Sequence, residues 1–371
     1  METAKDAEMA EDGSAAFRSC PAGRERSSYL AACRVCGVCP ASCLPPGPSS
    51  PALLLRHRGV GPRGAKALAL SLMANTSVIS LDLGDNWLLG EGTAAIAEML
   101  KENCSISAVD LSDNKMGIEG AKAISAMLLQ NTTVQVLGLS GNEFDDHAAK
   151  YLADAITANS KVEVLDLSYN KLGDKAGEVL GAAIAENIGL KELKISWNHF
   201  RSEGGAALAK GVGANVFLKV LDVSYNGFGN SGAAALGEAL RANNVLEELN
   251  VSNNRISVEG ALRLAAGLRA NKTLKILKMS RNPMQNKGCC GILKALQANS
   301  GTGMEILDLP VSVTVEGRGK GGKKLSVWIT KYCQRGLCTR HLMWCSPKSI
   351  TLGIEAFFQS GNCSVPLGPN N

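Results

Sequence analysis

Four cysteines, Cys33, Cys36, Cys39 and Cys43, stand at the spacing C-x2-C-x2-C-x3-C in the segment CRVCGVCPASC. Thiolates at this spacing can hold an iron–sulfur cluster, and C-x2-C is also a zinc-ligand spacing. Either metal requires a packed shell around its ligands, but the motif occurs once and precedes the Pro/Ser-rich stretch LPPGPSSP (44–51). We therefore favour a segment that is largely disordered or forms part of a cap, and we predict no metal or other cofactor. Zinc and iron–sulfur binding stay as the alternatives.

The sequence also contains residue types that could serve in catalysis. The four histidines, His57, His147, His199 and His341, do not pair with a Cys, Ser or carboxylate in a recognisable catalytic pattern. The run EGRGKGGKK (316–324) is rich in glycine but lacks the strand–loop–helix context of a phosphate-binding loop. We interpret it as a flexible basic linker, with contact to nucleic acid as the less favoured alternative. We predict that the protein is not an enzyme and has no small-molecule substrate.

Composition narrows the class of protein. The 371 residues are 45% hydrophobic but only 4% aromatic, which favours a core of closely packed aliphatic side chains. The 12 cysteines are far below the density of a small secreted disulfide scaffold. The first residues, METAKDAEMAEDG, lack the apolar region of a signal peptide, and no run of about 18 apolar residues predicts a membrane span. We therefore expect a cytoplasmic protein.

A 28-residue repeat organises the chain. Asparagine recurs at this interval in two series, and each member of the first series follows an alternating apolar pair such as Leu165 and Leu167. A Gly- and Ala-rich stretch with helical spacing comes next, for example GAAALGEALRAN (232–243). The first series is Asn86, Asn114, Asn142, Asn170, Asn198, Asn226, Asn254 and Asn282. The second series is Asn75, Asn103, Asn131, Asn159, Asn187, Asn215, Asn243, Asn271 and Asn299.

One such repeat cannot bury its own apolar side. The alternating residues predict a short strand with one buried face, and the following stretch predicts a helix that packs against it. Units must then stack, strand on strand at about 4.8 Å, and the wider helices curve the stack with the strands inside. We predict an α/β solenoid, a horseshoe with parallel strands on the concave face and helices on the convex face. It spans residues 53–309, between an N-terminal region 1–52 and an atypical basic, Cys-containing tail 310–371.

The unit L-x-x-L-x-L-x-x-N resembles the leucine-rich repeat of ribonuclease-inhibitor type. The stretches ISWNHFR (195–201), FLKVLDVSYNGFG (217–229) and NNVLEELNVSNNRIS (243–257) also resemble the leucine-rich-repeat-containing protein 74 family, its B form more than its A form. This resemblance implies the solenoid fold and supplies no enzymatic activity, so we predict a non-enzymatic module that binds a protein partner. Ran GTPase-activating protein shares this repeat type, and GTPase activation or a related regulatory role is therefore the alternative.

Stacking in register turns residues 28 apart into columns on the concave face. The column that directly precedes the first asparagine series contains three consecutive aromatic residues, Tyr169, Trp197 and Tyr225. Tyr and Trp dominate binding hot spots because they bury a large area at a low cost in conformational entropy. We predict that these rings form the platform for the unidentified partner, unless they only pack on one another for stability. A neighbouring outward column would add polar specificity through Asp166, Lys194 and Asp222.

Two charged areas lie outside this platform. Asp82, Asp85, Asp110 and Asp113 form an acidic area that a basic partner could contact, although a solvated acidic face is the simpler interpretation. The basic tail offers a salt-sensitive attachment to nucleic acid or to a membrane surface, which we consider the less favoured route. We expect disorder or poor packing from about residue 313, apart from a strand that SVWITKY (326–332) could supply.

Overall fold

The computed structural model describes residues 21–40, 51–310, 325–330 and 340–345. Strands and helices alternate along the repeats, as the two apolar periodicities predict. The strands are β1 (Ala52–Leu54), β2 (Ser80–Asp82), β3 (Ala108–Asp110), β4 (Val136–Gly138), β5 (Val164–Asp166), β6 (Glu192–Lys194), β7 (Val220–Asp222), β8 (Glu248–Asn250), β9 (Ile276–Lys278), β10 (Ile306–Leu309), β11 (Leu325–Thr330) and β12 (Arg340–Cys345). The helices are α1 (Pro21–Cys36), α2 (Gly61–Leu72), α3 (Leu89–Glu102), α4 (Gly117–Leu128), α5 (Asp146–Ala158), α6 (Asp174–Glu186), α7 (Ser202–Ala214), α8 (Gly229–Ala242), α9 (Val258–Leu268) and α10 (Gln285–Ala298).

The described strands form one sheet in chain order from β1 to β12. β1 to β11 pair in parallel, and β12 pairs antiparallel to β11. The register follows the repeat, since Leu165 pairs with Leu193 and Leu193 pairs with Leu221. This arrangement confirms the predicted α/β solenoid and the columns that follow from it.

The core lies between the sheet and the helices. The inward strand residues Leu165, Leu193 and Leu221 are at most 2% exposed. Phe144 and Phe228 are fully buried in the segments between strand and helix. These phenylalanines therefore belong to the core, in contrast to the Tyr and Trp residues of the aromatic column.

The first asparagine series closes the turn that follows each strand. Asn170 donates through Nδ2 to the carbonyl of Leu139 in the previous repeat (3.2 Å) and of Leu167 in its own (2.9 Å). Its Oδ1 accepts the backbone N–H groups of Asn142 (3.0 Å) and Phe144 (3.0 Å). Each buried amide therefore joins two repeats and satisfies backbone groups that would otherwise be costly to bury.

The second asparagine series closes the opposite turn, between each helix and the next strand. Asn187 donates to the carbonyls of Ile156 (2.6 Å) and Asn159 (2.9 Å), both in the previous repeat. Its Oδ1 accepts the N–H groups of Gly189 (2.9 Å) and Leu190 (2.7 Å). Sequence reasoning found this series but assigned it no role. It ties the far end of each helix to the neighbouring repeat.

Glycine lets neighbouring helices approach through their backbones. A Cβ atom on Gly211 of α7 would lie 2.0 Å from the carbonyl oxygen of Gly181 on α6. Likewise, a Cβ atom on Gly267 of α9 would lie 2.0 Å from the carbonyl oxygen of Gly237 on α8. A side chain at either position would push two helices apart, so these glycines set the spacing of the convex layer.

Helix α1 covers the first repeat by packing against α2. Cys33 is buried in this contact, Cys36 is half-buried and Cys39 is exposed, whereas Cys43 lies outside the described residues. Within the described part of the chain, no three His, Cys, Asp or Glu side chains are grouped as metal ligands. The expectation of disorder for the rest of region 1–52 concerns mainly residues 1–20 and 41–50, which the structure does not describe.

The sheet continues beyond the last repeat. β11 adds to β10 in parallel, with Leu307 paired to Val327, and β12 then pairs with β11. The strand expected within SVWITKY is therefore present, and the expectation of disorder is wrong for the residues of β12. The remaining tail residues lie outside those described. None of the described helices has both the length and the apolar character needed to cross a bilayer.

Candidate functional site

The column that precedes the first asparagine series has an unusual backbone. Its residues adopt left-handed φ angles between 51° and 70°. Asn, Asp and Gly tolerate this conformation best, whereas bulky side chains avoid it. Sequence reasoning located the column but not its conformation. The column consists of His57, Asp85, Asp113, Gly141, Tyr169, Trp197, Tyr225, Asn253 and Arg281.

The neighbouring repeats impose this conformation on the aromatic members. The backbone N–H of Tyr169 donates to the carbonyl of Ser196 (2.9 Å), and that of Trp197 donates to the carbonyl of Ser224 (3.0 Å). Each ring is followed by a buried asparagine, such as Asn170, whose amide fixes the same turn. Strained backbone persists where the surrounding structure overdetermines it in this way.

The three rings form a continuous stack, which we call the aromatic stack. Tyr169 and Trp197 lie with their ring centroids 5.3 Å apart and their planes inclined by 12°. Trp197 and Tyr225 lie 4.0 Å apart with an inclination of 10°. Tyr169 is 57% exposed and Trp197 is 44% exposed. Tyr225 is half-buried. The three rings are therefore adjacent, and two of them are open to solvent, although they also contact one another.

The two ends of the aromatic stack differ in chemistry. At one end Arg281 donates to the Tyr225 hydroxyl (2.5 Å), and its guanidinium lies 5.6 Å from the Tyr225 ring centroid. At the other end the column continues with Gly141, above which the Asp113 carboxylate lies. Partial desolvation raises the pKa of Asp113, an effect that Arg56 opposes. From Asp85 to Arg281, the column thus runs from acidic through aromatic to basic.

The three flanking charged residues lie side by side on β5, β6 and β7, as predicted. Asp166 accepts the N–H of Ser168 (2.8 Å). Asp222 likewise accepts the N–H of Ser224 (2.8 Å). Lys194 pairs with Glu192 (2.8 Å), and this hydrogen bond raises the pKa of Lys194. The two aspartates therefore stabilise the ends of their strands, and all three side chains remain partly exposed beside the rings.

The acidic area is partly neutralised within the chain. The Arg56 guanidinium bridges the carboxylates of Asp82 (3.2 Å) and Asp110. His57 contacts Asp85 through Nδ1 (2.7 Å). This arrangement reduces the attraction that a basic partner would feel here, and it joins three consecutive repeats. The sequence contains Arg56 and His57 in the right register, but their pairing depends on side-chain reach.

Comparison with protein families identifies the repeats. A family model described as Leucine Rich repeat matches eight segments, which together cover just over half of the chain. The matched segments are 74–97, 102–125, 130–153, 158–181, 186–209, 214–237, 242–265 and 270–292. The chain belongs to the leucine-rich repeat family.

One curated protein is similar in sequence to part of this leucine-rich repeat chain, and one solved structure is similar in fold to part of it. Human leucine-rich repeat-containing protein 74B is 55% identical over 50 residues, which is 14% of this chain and 13% of that protein. This match agrees with the resemblance seen in the sequence. The solved structure of the leiomodin-1 actin-binding site 2 shows 23% identity and a TM-score of 0.33, over 35% of this chain and 77% of its own.

A cleft of ≈ 360 Å³ adjoins the aromatic stack of this leucine-rich repeat protein. Trp197 and Tyr225 line one part of it, and His199, Arg201 and Arg255 line another. Sequence reasoning treated His199 only as an exposed loop residue and did not consider the two arginines. A weak signal was present, because Gly227 occupies a position where the repeats on either side carry larger side chains.

Proposed function

We propose that this leucine-rich repeat protein is a non-enzymatic module that binds a protein partner through the aromatic stack. Its repeats indicate a protein-interaction module, since the fold presents columns of side chains on one continuous sheet. In this proposal the rings of Tyr169, Trp197 and Tyr225 supply most of the buried contact area. The concave residues Asp166, Lys194 and Asp222 supply polar contacts beside them.

The observation that carries the proposal is the placement of three stacked rings on left-handed backbone, with Tyr169 and Trp197 exposed and Tyr225 half-buried. An L-residue in this conformation costs on the order of 1–2 kcal/mol, and less for Asn or Asp. A stacked aromatic pair returns about 0.5–1.5 kcal/mol, and the three rings make two such pairs. Stability alone therefore does not favour rings at these positions. Strained residues that persist in this way cluster at functional sites.

A matched comparison within the chain supports the same conclusion. The column uses Gly141 and Asn253 on either side of the aromatic stack, with the same left-handed backbone. The fold is thus compatible with small residues throughout the column. A binding surface explains why three consecutive repeats instead present large, amphipathic rings, because such side chains dominate hot spots.

The test is affinity capture with the full chain and the triple variant Tyr169→Asn, Trp197→Asn and Tyr225→Asn. Asn is the residue that the column already accepts at position 253. We expect the triple variant to lose partners that the parent protein captures, while its circular dichroism spectrum stays the same. Trp87→Asn is the matched control, since Trp87 is 55% exposed and also left-handed (φ 55°) but lies outside the aromatic stack. Equal capture by the parent and the triple variant would refute the proposal.

A further inference from the structure

The cleft beside the aromatic stack is formed by a missing side chain. One residue after the first-series asparagines, the successive repeats carry Lys171, His199, Gly227 and Arg255. Gly227 therefore leaves a gap between an imidazole and a guanidinium. A Cβ atom at Gly227 would meet its nearest neighbour, the Phe200 carbonyl oxygen, at 3.2 Å, so the backbone leaves room for a larger residue with a small adjustment. The gap thus does not arise from crowding by the fold.

The cleft combines positive charge with a lining that contains no acidic side chain. None of the residues that line it is acidic, while His199, Arg201 and Arg255 are all exposed and line it together. Among the described residues, no carboxylate lies within ion-pairing distance of either arginine side chain. The nearest recorded acid contact is to the backbone, where Asp174 accepts the Arg201 N–H (2.8 Å).

Several other basic residues pair with a glutamate of the neighbouring repeat. Lys191 pairs with Glu163 (2.6 Å), and Lys219 and Lys275 both pair with Glu247 (3.2 and 2.5 Å). In these pairs, stacking in register brings opposite charges from neighbouring repeats next to each other. The two arginines of the cleft have no such pair among the described residues, and arginine is the side chain that matches oxyanions best because its planar guanidinium donates two parallel hydrogen bonds.

We infer that this cleft binds an oxyanion, a carboxylate or a phosphate, on a side chain of the partner protein. Arg201 and Arg255 hold the oxyanion, and the rings of Trp197 and Tyr225 contact the body of the same segment. The volume of ≈ 360 Å³ lies at the lower end of the range for ligand pockets, about 300–1,000 Å³, and exceeds the needs of a bare anion. This inference rests on the proposed function in one respect: the oxyanion belongs to the protein partner.

Short peptides test the cleft without the partner. Four capped heptapeptides differ only at the central residue, which is Glu, phosphoserine, Gln or Ser, and isothermal titration calorimetry measures their binding to the full chain at low salt. We expect the Glu peptide, the phosphoserine peptide or both to bind at least about tenfold more tightly than the neutral pair. The stronger of the two identifies the oxyanion. Equal binding of charged and neutral peptides would overturn the inference.

Variants then locate the binding. Arg201→Gln with Arg255→Gln should weaken the charged peptides by about tenfold or more, because each arginine contributes charge-assisted hydrogen bonds. Gly227→Gln should weaken them as well, since it fills the cleft without changing the charge. The control pair Arg241→Gln and Arg269→Gln removes the same charge from the convex side and should bind like the parent.

Two outcomes contradict the assignment. Parental affinity in the double arginine variant would show that the oxyanion binds elsewhere. Equal losses in the control pair would show that only the overall charge matters. The double arginine variant keeps all three rings of the aromatic stack. Its peptide affinity therefore tests the cleft, whereas partner capture by the triple asparagine variant tests the proposed function. Failure of the peptides with capture intact would remove this inference and leave the proposed function standing.

Discussion

Replacement of the central ring tests whether the aromatic stack exists for binding or for stability. In Trp197→Asn, two stacked contacts are lost, with centroid distances of 5.3 and 4.0 Å. At about 0.5–1.5 kcal/mol each, these contacts account for roughly 1–3 kcal/mol. Asn recovers part of the left-handed backbone cost, which is on the order of 1–2 kcal/mol for a bulky residue. We therefore expect the free energy of unfolding to fall by about 1 kcal/mol or less.

The assay is urea denaturation followed by circular dichroism, with the parent, Trp197→Asn and Trp87→Asn measured in parallel. Linear extrapolation gives the free energy of unfolding, and an unchanged slope shows that the variants unfold over the same surface. Trp87 has its own exposed cation–π contact with Lys115 (3.7 Å), so its replacement also removes an aromatic interaction outside the aromatic stack. Similar small losses for the two variants are expected.

A different result would refute the reasoning. A loss of about 3 kcal/mol or more for Trp197→Asn would show that the rings stabilise the solenoid, as the packing alternative states. In binding, by contrast, we expect the same variant to weaken partner capture by about 2 kcal/mol or more, or roughly 30-fold, as is typical of a hot-spot residue. A small loss of stability with a large loss of binding is the combination that the proposed function requires.

Three further predictions concern the framework. Asn170→Ala should lower the free energy of unfolding by about 3 kcal/mol or more, because it leaves several buried backbone groups unsatisfied; a loss under 1 kcal/mol would contradict the role of the asparagine series. Gly211→Ala should lower the melting temperature despite the better helix propensity of Ala, since its Cβ would lie 2.0 Å from a carbonyl oxygen; an increase would show that the helices can separate freely. Burial raises the pKa of Cys289 to about 12, so its thiol should resist iodoacetamide in the folded protein while the exposed Cys104 is alkylated. Mass spectrometry measures the alkylation of each cysteine, and the difference between Cys104 and Cys289 should disappear after unfolding.

The regular part of the site could be predicted because the repeat length is constant. Every 28-residue step returns the chain to the same place in the next unit, so Tyr169, Trp197 and Tyr225 had to be neighbours once the register was known. The same reasoning placed Asp166, Lys194 and Asp222 on one face. The strand within SVWITKY was expected and is β11. The expectation for the tail was wrong where β12 extends the sheet, because this strand does not carry the repeat pattern.

The sequence by itself determined which residues align in columns, since that depends only on spacing and on the need of each unit to bury its apolar side against the next. The tertiary structure decided the left-handed backbone beneath the rings, the bridge from Arg56 to two aspartates, and the cleft between His199 and Arg255. These features depend on how far individual side chains reach across neighbouring repeats and on how hydrogen bonds from those repeats fix each turn. Spacing along the chain carries no information on either.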